Sequence, residues 1–278
     1  MTKLFSLSIL ILLFLGLSQC GPAEESTQEE ISEETETSEA GEESEEVAKK
    51  YTLTEVSSPE FEGASLSLNN VEDGQKLEAG AFTFEFGVDN YELGTQTSDA
   101  EGKGLANSPK GQHIHFILNN GPYSAHYEPK AEKELPEGNH VLLAFLSRSY
   151  HESVKSEGAY ILKTFSVGEA GESDIDPTGP HMFYSRPKGD YTMAEGDQLL
   201  LDFFLINTTI SADGNKVKAT INGEEHMIEK WAPYAIDGLE LGEVSIKLEL
   251  VDSEGNVIEG PFNTVERKVN LLAPEEGA

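Results

Sequence analysis

The sequence predicts an all-β protein in which two tandem β-sandwich domains follow a signal peptide and a disordered acidic tether. After Tyr51 the chain consists of short alternating apolar and polar stretches separated by Gly, Asn, Asp and Pro, a pattern typical of sandwich strands. No window of helical length carries an apolar repeat of 3.6 residues. The strand pattern also occurs twice along the chain, which predicts two domains of the same kind.

Residues 1–19 have the composition of a signal peptide. An apolar run of 14 residues, broken only by serines and a glycine, ends at Leu17. The run is too short to span a bilayer but has the length of a signal-peptide core. The motif Leu17-Ser18-Gln19-Cys20 resembles the lipobox of bacterial lipoproteins, in the loose form of the Bacteroidetes type. The resemblance implies that lipid is attached to Cys20; the alternative is an uncleaved signal anchor with a free thiol.

Residues 20–50 are predicted to form a disordered tether. The segment 21–48 contains 12 glutamates and no lysine or arginine, so it cannot bury enough apolar surface to fold. An acidic run behind the lipidated cysteine also resembles the surface-export signal of Bacteroidetes lipoproteins, and the alternative is a plain solvated spacer. We therefore expect an outer-membrane lipoprotein of the cell envelope, which the export signal would place on the surface.

The charge balance argues against binding to nucleic acid. The whole chain has 51 acidic and 19 basic side chains, a formal net charge of −32. Such a charge repels phosphate backbones and anionic lipid headgroups. The membrane contact is therefore expected to be made through the lipid on Cys20 alone.

The two halves of the chain align strand by strand. The segment 138–146 corresponds to 242–250, and the alternating apolar residues that begin at Phe82 correspond to those that begin at Leu199. The alignment divides the chain into a first domain, a linker, a second domain and a tail. These segments are 51–168, 169–177, 178–274 and 275–278.

The repeats resemble bacterial immunoglobulin-like (Ig-like) domains over residues 60–272. The first copy also resembles a family of secreted bacterial domains of unknown function, in which a His-x-His strand precedes a strand that follows Leu-Pro-x-Gly-x-His-x-Leu. It contains both features, His113-Ile114-His115 and a Gly-x-His motif at His140, and the second copy contains neither. The resemblance implies a tandem Ig-like fold and no particular activity.

Comparison of the two copies predicts which strand residues face the core. In the second copy, apolar residues alternate with polar ones over residues 216–221, so the apolar set faces inward. The same register in the first copy turns Ile114 and Phe116 inward and turns His113 and His115 outward. The histidine pair is therefore expected on an outer sheet face.

The next strand predicts an apolar patch on that outer face. At its outward positions the second copy has Ser, Lys and Glu, whereas the first copy has Val, Leu and Phe. Because clusters of exposed apolar residues mark contact surfaces, we predict a binding surface here. Its residues are His113, His115, Ile117, Val141, Leu143, Phe145, Tyr150 and His151. The alternative is that the second domain, or the long loop 94–112, covers this face.

A metal site is the sharpest chemical alternative. Histidines at positions i and i+2 of a strand project to one side, where they can share a divalent ion such as copper or zinc. His113 and His115 form such a pair, and His126 or His151 could complete the ligand set. His140 aligns with a core residue of the second copy and is predicted to be structural.

No motif predicts catalysis. The chain has no Gly-x-Ser-x-Gly elbow, phosphate-binding glycine loop or His-Glu-x-x-His motif, and its only thiol is assigned to lipid. The predicted function is non-catalytic binding of an unidentified protein, peptide or glycan, without a cofactor. A metal-binding envelope lipoprotein that uses His113 and His115 is the alternative, and an enzyme of unknown type is the third.

Overall fold

A computed structural model describes residues 51–173 and 175–275 of the chain. The signal peptide, the lipidation site Cys20 and the whole acidic tether lie outside the described residues, so these remain predictions. All regular elements of the described part are β-strands, as the predicted fold class requires. This part of the chain contains no helix that is long and apolar enough to cross a membrane.

Seventeen strands follow one another along the described chain. They are β1 (Thr52–Glu55), β2 (Ser65–Leu68), β3 (Gln75–Leu77), β4 (Gly80–Asp89), β5 (His113–Leu118), β6 (Ser124–His126), β7 (Lys130–Leu135), β8 (Gly138–Ser147), β9 (Tyr160–Val167), β10 (His181–Arg186), β11 (Asp190–Thr192), β12 (Leu199–Ile206), β13 (Lys216–Ile221), β14 (Glu224–Ile228), β15 (Tyr234–Asp237), β16 (Gly242–Val251) and β17 (Thr264–Leu272).

The two halves form sandwiches of the same topology. The first sandwich consists of sheets β2-β4-β7 and β3-β9-β8-β5-β6, and the second repeats this order in β10-β12-β15 and β11-β17-β16-β13-β14. In each sandwich one short strand pairs in parallel with the last strand, β3 with β9 and β11 with β17. The chain crosses repeatedly between the two sheets of each sandwich, as in immunoglobulin sandwiches. The chain therefore contains two tandem Ig-like sandwiches, which confirms the predicted fold class.

The strand β1 belongs to the second sandwich, although the sequence analysis assigned residues from 51 onward to the first domain. Thr52–Glu55 pairs antiparallel with β15 and extends its sheet. Tyr51 is buried in the second core, where its hydroxyl donates to the carbonyl oxygen of Ile221 over 3.2 Å. Four residues of alternating pattern carry no information about which sheet edge they join, because any free edge offers the same backbone partners.

Three large apolar clusters hold the sandwiches and join them, and a small fourth cluster lies around Tyr150. One lies between the sheets of the first sandwich and one between those of the second. The third lies between the two sandwiches and combines Ile117, Tyr123, Val141, Leu143 and Phe145 with Phe183, Phe204, Ile206 and Phe262. The strand β12 is buried along its whole length because its two faces belong to different clusters.

The apolar face that was predicted to bind a partner is closed by the second sandwich. The strand β5 faces as the comparison of the two copies indicated, since Ile114 and Phe116 lie in the first core. However, Val141, Leu143 and Phe145 are at most 1% exposed, because the aromatic residues of β10 and β12 cover them. The face is therefore an interface between the sandwiches and is not free to bind another molecule.

Candidate metal centre

Three histidines converge at the edge of the interface between the sandwiches. His113 and His115 lie on β5, and His151 lies in the turn that follows β8. One ring nitrogen of each lies within 4.8 Å of the corresponding nitrogens of the other two. His113 and His115 are fully buried and His151 is half-buried. The arrangement is a compact set of three imidazoles.

The strand pairing brings these residues together. His113 and His115 point to one face because side chains two residues apart in a strand share a side. His113 lies opposite Ser147, the last residue of β8, so the turn after β8 begins beside it. That turn is closed by hydrogen bonds from Arg148 N to Glu152 O and from His151 N to Arg148 O, each 2.9 Å long.

His151 has an unusual backbone conformation that aims its ring into the cluster. Its φ angle is 68°, and every other described non-glycine residue with positive φ is an asparagine. The left-handed region costs an L-residue about 1–2 kcal/mol relative to ordinary conformations. Such strain is concentrated at functional sites, where the surrounding structure imposes it.

The tautomer of His113 directs a lone pair into the cluster. Its Nδ1 donates to the carbonyl oxygen of Gly111 over 2.8 Å, so Nε2 of the neutral ring is an acceptor. The Nε2 of His115 and the Nδ1 of His151 both lie 3.0 Å from that atom. One lone pair accepts only one strong hydrogen bond, so the three nitrogens cannot satisfy one another, and the other polar groups at them are the hydroxyls of Ser147, 3.2 Å from His115 Nε2, and Tyr123, 3.3 Å from His151 Nδ1. A cation between them would satisfy all three lone pairs at once.

Tyr123 and Ser185 complete the surroundings of His115, and sequence reasoning missed both. The Tyr123 ring stacks on His115 with centroids 3.6 Å apart, and its hydroxyl lies 3.3 Å from His151 Nδ1. The Ser185 hydroxyl, from β10 of the second sandwich, lies 3.3 Å from His115 Nδ1. The sequence signal for Tyr123 was weak, because it was only an aromatic residue after a turn. Ser185 carried no signal, since it comes from the other domain.

Burial keeps the cluster neutral. Desolvation lowers the pKa of His113 to about 4. Desolvation also lowers the pKa of His115 and of His151, and the neighbouring histidines and the cations Arg186 and Lys188 lower both further. The three rings are therefore unprotonated at neutral pH, which is the form of histidine that binds metals.

The distances suit a first-row transition metal. At metal–nitrogen distances of about 2.0–2.1 Å, trigonal or tetrahedral ligands lie about 3.3–3.6 Å apart, so nitrogens 3.0 Å apart need to move by only a few tenths of an ångström. Imidazole nitrogen is a common ligand for zinc and copper. The nearby Arg186 and Lys188 disfavour positive charge at the site, which would weaken binding of a divalent ion in the absence of an anion.

Two of the predicted site residues lie elsewhere. His126 pairs with core-facing Ile114, so it lies on the opposite face of β5–β6 from the histidine pair and does not join the cluster. Tyr150 is buried against a separate patch of the second sandwich and donates to Asp99 Oδ1 over 3.1 Å. His140 is buried with both ring nitrogens in contact with partners, Asn119 Nδ2 at 3.0 Å and Pro136 O at 2.9 Å.

Comparisons with known proteins give only distant similarities. No protein-family profile and no curated protein matches the chain. Fibronectin(III)-like modules of Clostridium thermocellum CbhA are 13% identical and cover 77% of this chain and 97% of that chain, with a TM-score of 0.28. The Ig1-2 module of the Drosophila receptor protein tyrosine phosphatase DLAR is 10% identical. The match covers 76% of this chain and 99% of that module, with a TM-score of 0.24.

A surface glycan-binding protein is among the similar structures. SGBP-B of the mixed-linkage glucan utilization locus of Bacteroides ovatus, in complex with a mixed-linkage heptasaccharide, is 12% identical, with a TM-score of 0.23. It covers 74% of this chain, which spans 47% of that protein. Scores at this level assign neither a family nor a function to the chain.

Proposed function

We propose that this chain is a lipid-anchored protein of the cell envelope that binds one zinc or copper ion through His113, His115 and His151. The observation that carries the proposal is the convergence of three neutral ring nitrogens within 4.8 Å of one another. The hydrogen bond from His113 Nδ1 to a backbone carbonyl supports it, because metal-ligating histidines are typically oriented in this way.

Burial of the site favours binding over catalysis. His113 and His115 are fully buried, and Tyr123 and Phe145 pack against the ring of His115. A substrate would have to approach past His151, the one half-buried member of the set. We therefore propose that the ion is held between the sandwiches rather than presented to a substrate. A protein, peptide or glycan ligand would need a surface other than the closed apolar face.

Elemental analysis tests the metal site directly. Protein purified without chelator is expected to contain about one zinc or copper ion per chain, bound through three imidazoles. His115→Gln is expected to weaken binding more than about a hundredfold, since loss of a group that only orients a ligand already costs 10–100-fold. His126→Gln is the matched control, because it removes a histidine of the adjacent strand from outside the cluster.

Two results would contradict the metal site. Wild-type protein that remains metal-free after titration with zinc and with copper(I) would exclude the site. Equal weakening by His115→Gln and His126→Gln would mean that the bound ion is held somewhere else.

Lipidation is tested separately. The motif ending at Cys20 predicts that the mature protein partitions into detergent and incorporates labelled fatty acid. Cys20→Ser should abolish both. The metal content of this variant should be unchanged, whichever cell fraction it is purified from. Absence of label in the wild-type protein, expressed in a bacterium that lipidates its own lipoproteins, would contradict the anchor.

A further inference from the structure

Four basic side chains surround residues 121–124, which adjoin the histidine cluster, and none of the four has a carboxylate partner among the described residues. They are Lys133 on β7, Arg186 at the end of β10, Lys188 just after it, and Arg267 on β17. None of them forms an ion pair within the described part of the chain, where ten other Lys and Arg residues do. In a chain with 51 acidic and 19 basic residues, a cluster of unpaired cations requires an explanation.

The partners of these cations are neutral. Arg186 Nη1 donates to the Tyr191 hydroxyl over 2.5 Å, and Lys188 Nζ donates to the carbonyl oxygen of Tyr123 over 2.6 Å. Arg267 donates to the carbonyl oxygens of Ser185 and Gly121 over 3.2 and 3.3 Å, and Lys133 Nζ donates to the Ser124 hydroxyl over 2.5 Å. Each cation also lies over the face of an aromatic ring, so its partners hold it in place but none of them carries a negative charge.

The cluster also has a surplus of buried hydrogen-bond donors. Arg186 is only 6% exposed, and its Nε has no hydrogen-bond partner. The Tyr191 oxygen accepts from both Arg186 Nη1 and the backbone nitrogen of Lys188, so its own hydrogen is left to donate. A buried donor without an acceptor costs about 1–3 kcal/mol, which a bound acceptor would recover.

Mutual repulsion raises the cost of the arrangement. Desolvation lowers the pKa of Lys188, and Arg186, Arg267 and Lys133 lower it further. Desolvation also lowers the pKa of Arg267, and the other groups that act on it are tyrosines rather than carboxylates. The groups that surround these cations therefore include no fixed negative charge that would hold them together.

We infer that Lys133, Arg186, Lys188 and Arg267 bind a small oxyanion of the phosphate or carboxylate class. Such an anion accepts from several donors at once and forms charge-assisted hydrogen bonds, in which arginine is the most effective partner. Lys133, Lys188 and Arg267 are only partly buried, so the anion can enter from solvent. Four formal positive charges favour a dianion over a monoanion. The inference does not depend on the metal centre, although an anion here would offset the charge that opposes a metal ion.

The test is calorimetric titration of the chelator-treated full chain with inorganic phosphate and, separately, with acetate at constant chloride concentration. Phosphate is expected to bind saturably at one site. Lys133→Gln/Lys188→Gln should weaken binding by at least about tenfold, which corresponds to about 1.4 kcal/mol. Lys188→Arg, which keeps the charge, should retain binding and shows that the fold tolerates change at this position.

The control removes the same number of charges elsewhere. Lys76 and Lys268 form exposed ion pairs with Glu169 and Glu243, and Lys76→Gln/Lys268→Gln should bind phosphate as the wild type does. Binding of phosphate alone supports a dianion site, and comparable binding of acetate supports a carboxylate site. Failure of the wild type to bind either anion, or equal weakening in the control, would overturn the inference. Metal content is measured on separate samples, so failure here leaves the metal proposal intact.

Discussion

Replacement of Phe145 by glutamate is expected to lower the free energy of unfolding by at least about 5 kcal/mol, enough to unfold a protein of ordinary stability. Phe145 is fully buried between the sandwiches. Its ring stacks on Phe204 with centroids 5.0 Å apart and lies 5.1 Å from the ring of His115. Loss of the ring leaves a cavity, and the new carboxylate would lose its hydration between the two sandwiches.

Urea denaturation of the full chain measures this effect. The control is Lys247→Gln on the outer face of β16, in the strand of the second sandwich that corresponds to β8. Lys247 is partly exposed and pairs with Glu249, so its loss should cost at most about 1 kcal/mol. If Phe145→Glu were equally mild, the two sandwiches would not be packed against each other, and the metal centre at their interface would lose its support.

Acidification is expected to destabilise the metal-free protein between pH 6.5 and about 4. His113 stays neutral in the folded state until the pH falls to its pKa of about 4, whereas the unfolded chain binds this proton near the ordinary histidine pKa of 6.5. Burial shifts His115 and His151 in the same direction. Because the unfolded state binds more protons in this window, stability falls as the pH falls. Each of the three histidines contributes about 1.4 kcal/mol per pH unit.

Denaturation at several pH values across this window tests the prediction. The variant His113→Gln/His115→Gln/His151→Gln keeps all carboxylates, so their acid titration is common to both proteins. The wild type should lose up to about 4 kcal/mol more per pH unit than the variant, because three protons are taken up on unfolding. An identical pH dependence would show that the three rings are protonated equally in the folded and unfolded states and are therefore not buried as described.

The orientation of β5 and β8 could be predicted from the sequence. In a strand the side-chain period is two residues, so the second copy shows which residues of the first face its core. Ile114 lies in the core and His113 on the opposite face, as that comparison indicates. What the second copy could not show is what covers the opposite face, because its own equivalent positions are polar. The sequence of β12 did indicate the covering strand, because it is almost continuously apolar, as is typical of a strand buried on both faces.

The composition of the histidine cluster depended on tertiary structure. The sequence left His126 and His151 as equal candidates to join His113 and His115. The pairing of His126 with Ile114 turns it to the other face, and the left-handed turn brings His151 inward. Neither feature is readable from local sequence, because a three-residue strand does not set its own register and only a few per cent of non-glycine residues adopt positive φ.

The sequence by itself determined the all-β class, the repeat and the facing of the two central strands, because these depend on local alternation and turn residues. Only the tertiary structure decided that the sandwiches pack face to face and that β1 joins the second one. It also decided that three histidines and four unpaired cations meet at their junction. These features arise from contacts between residues far apart along the chain, such as Tyr123 with His151, 28 positions apart, and Ser185 with His115, 70 positions apart. No local pattern specifies such contacts, because they depend on how two separately patterned domains bury their remaining apolar faces against each other.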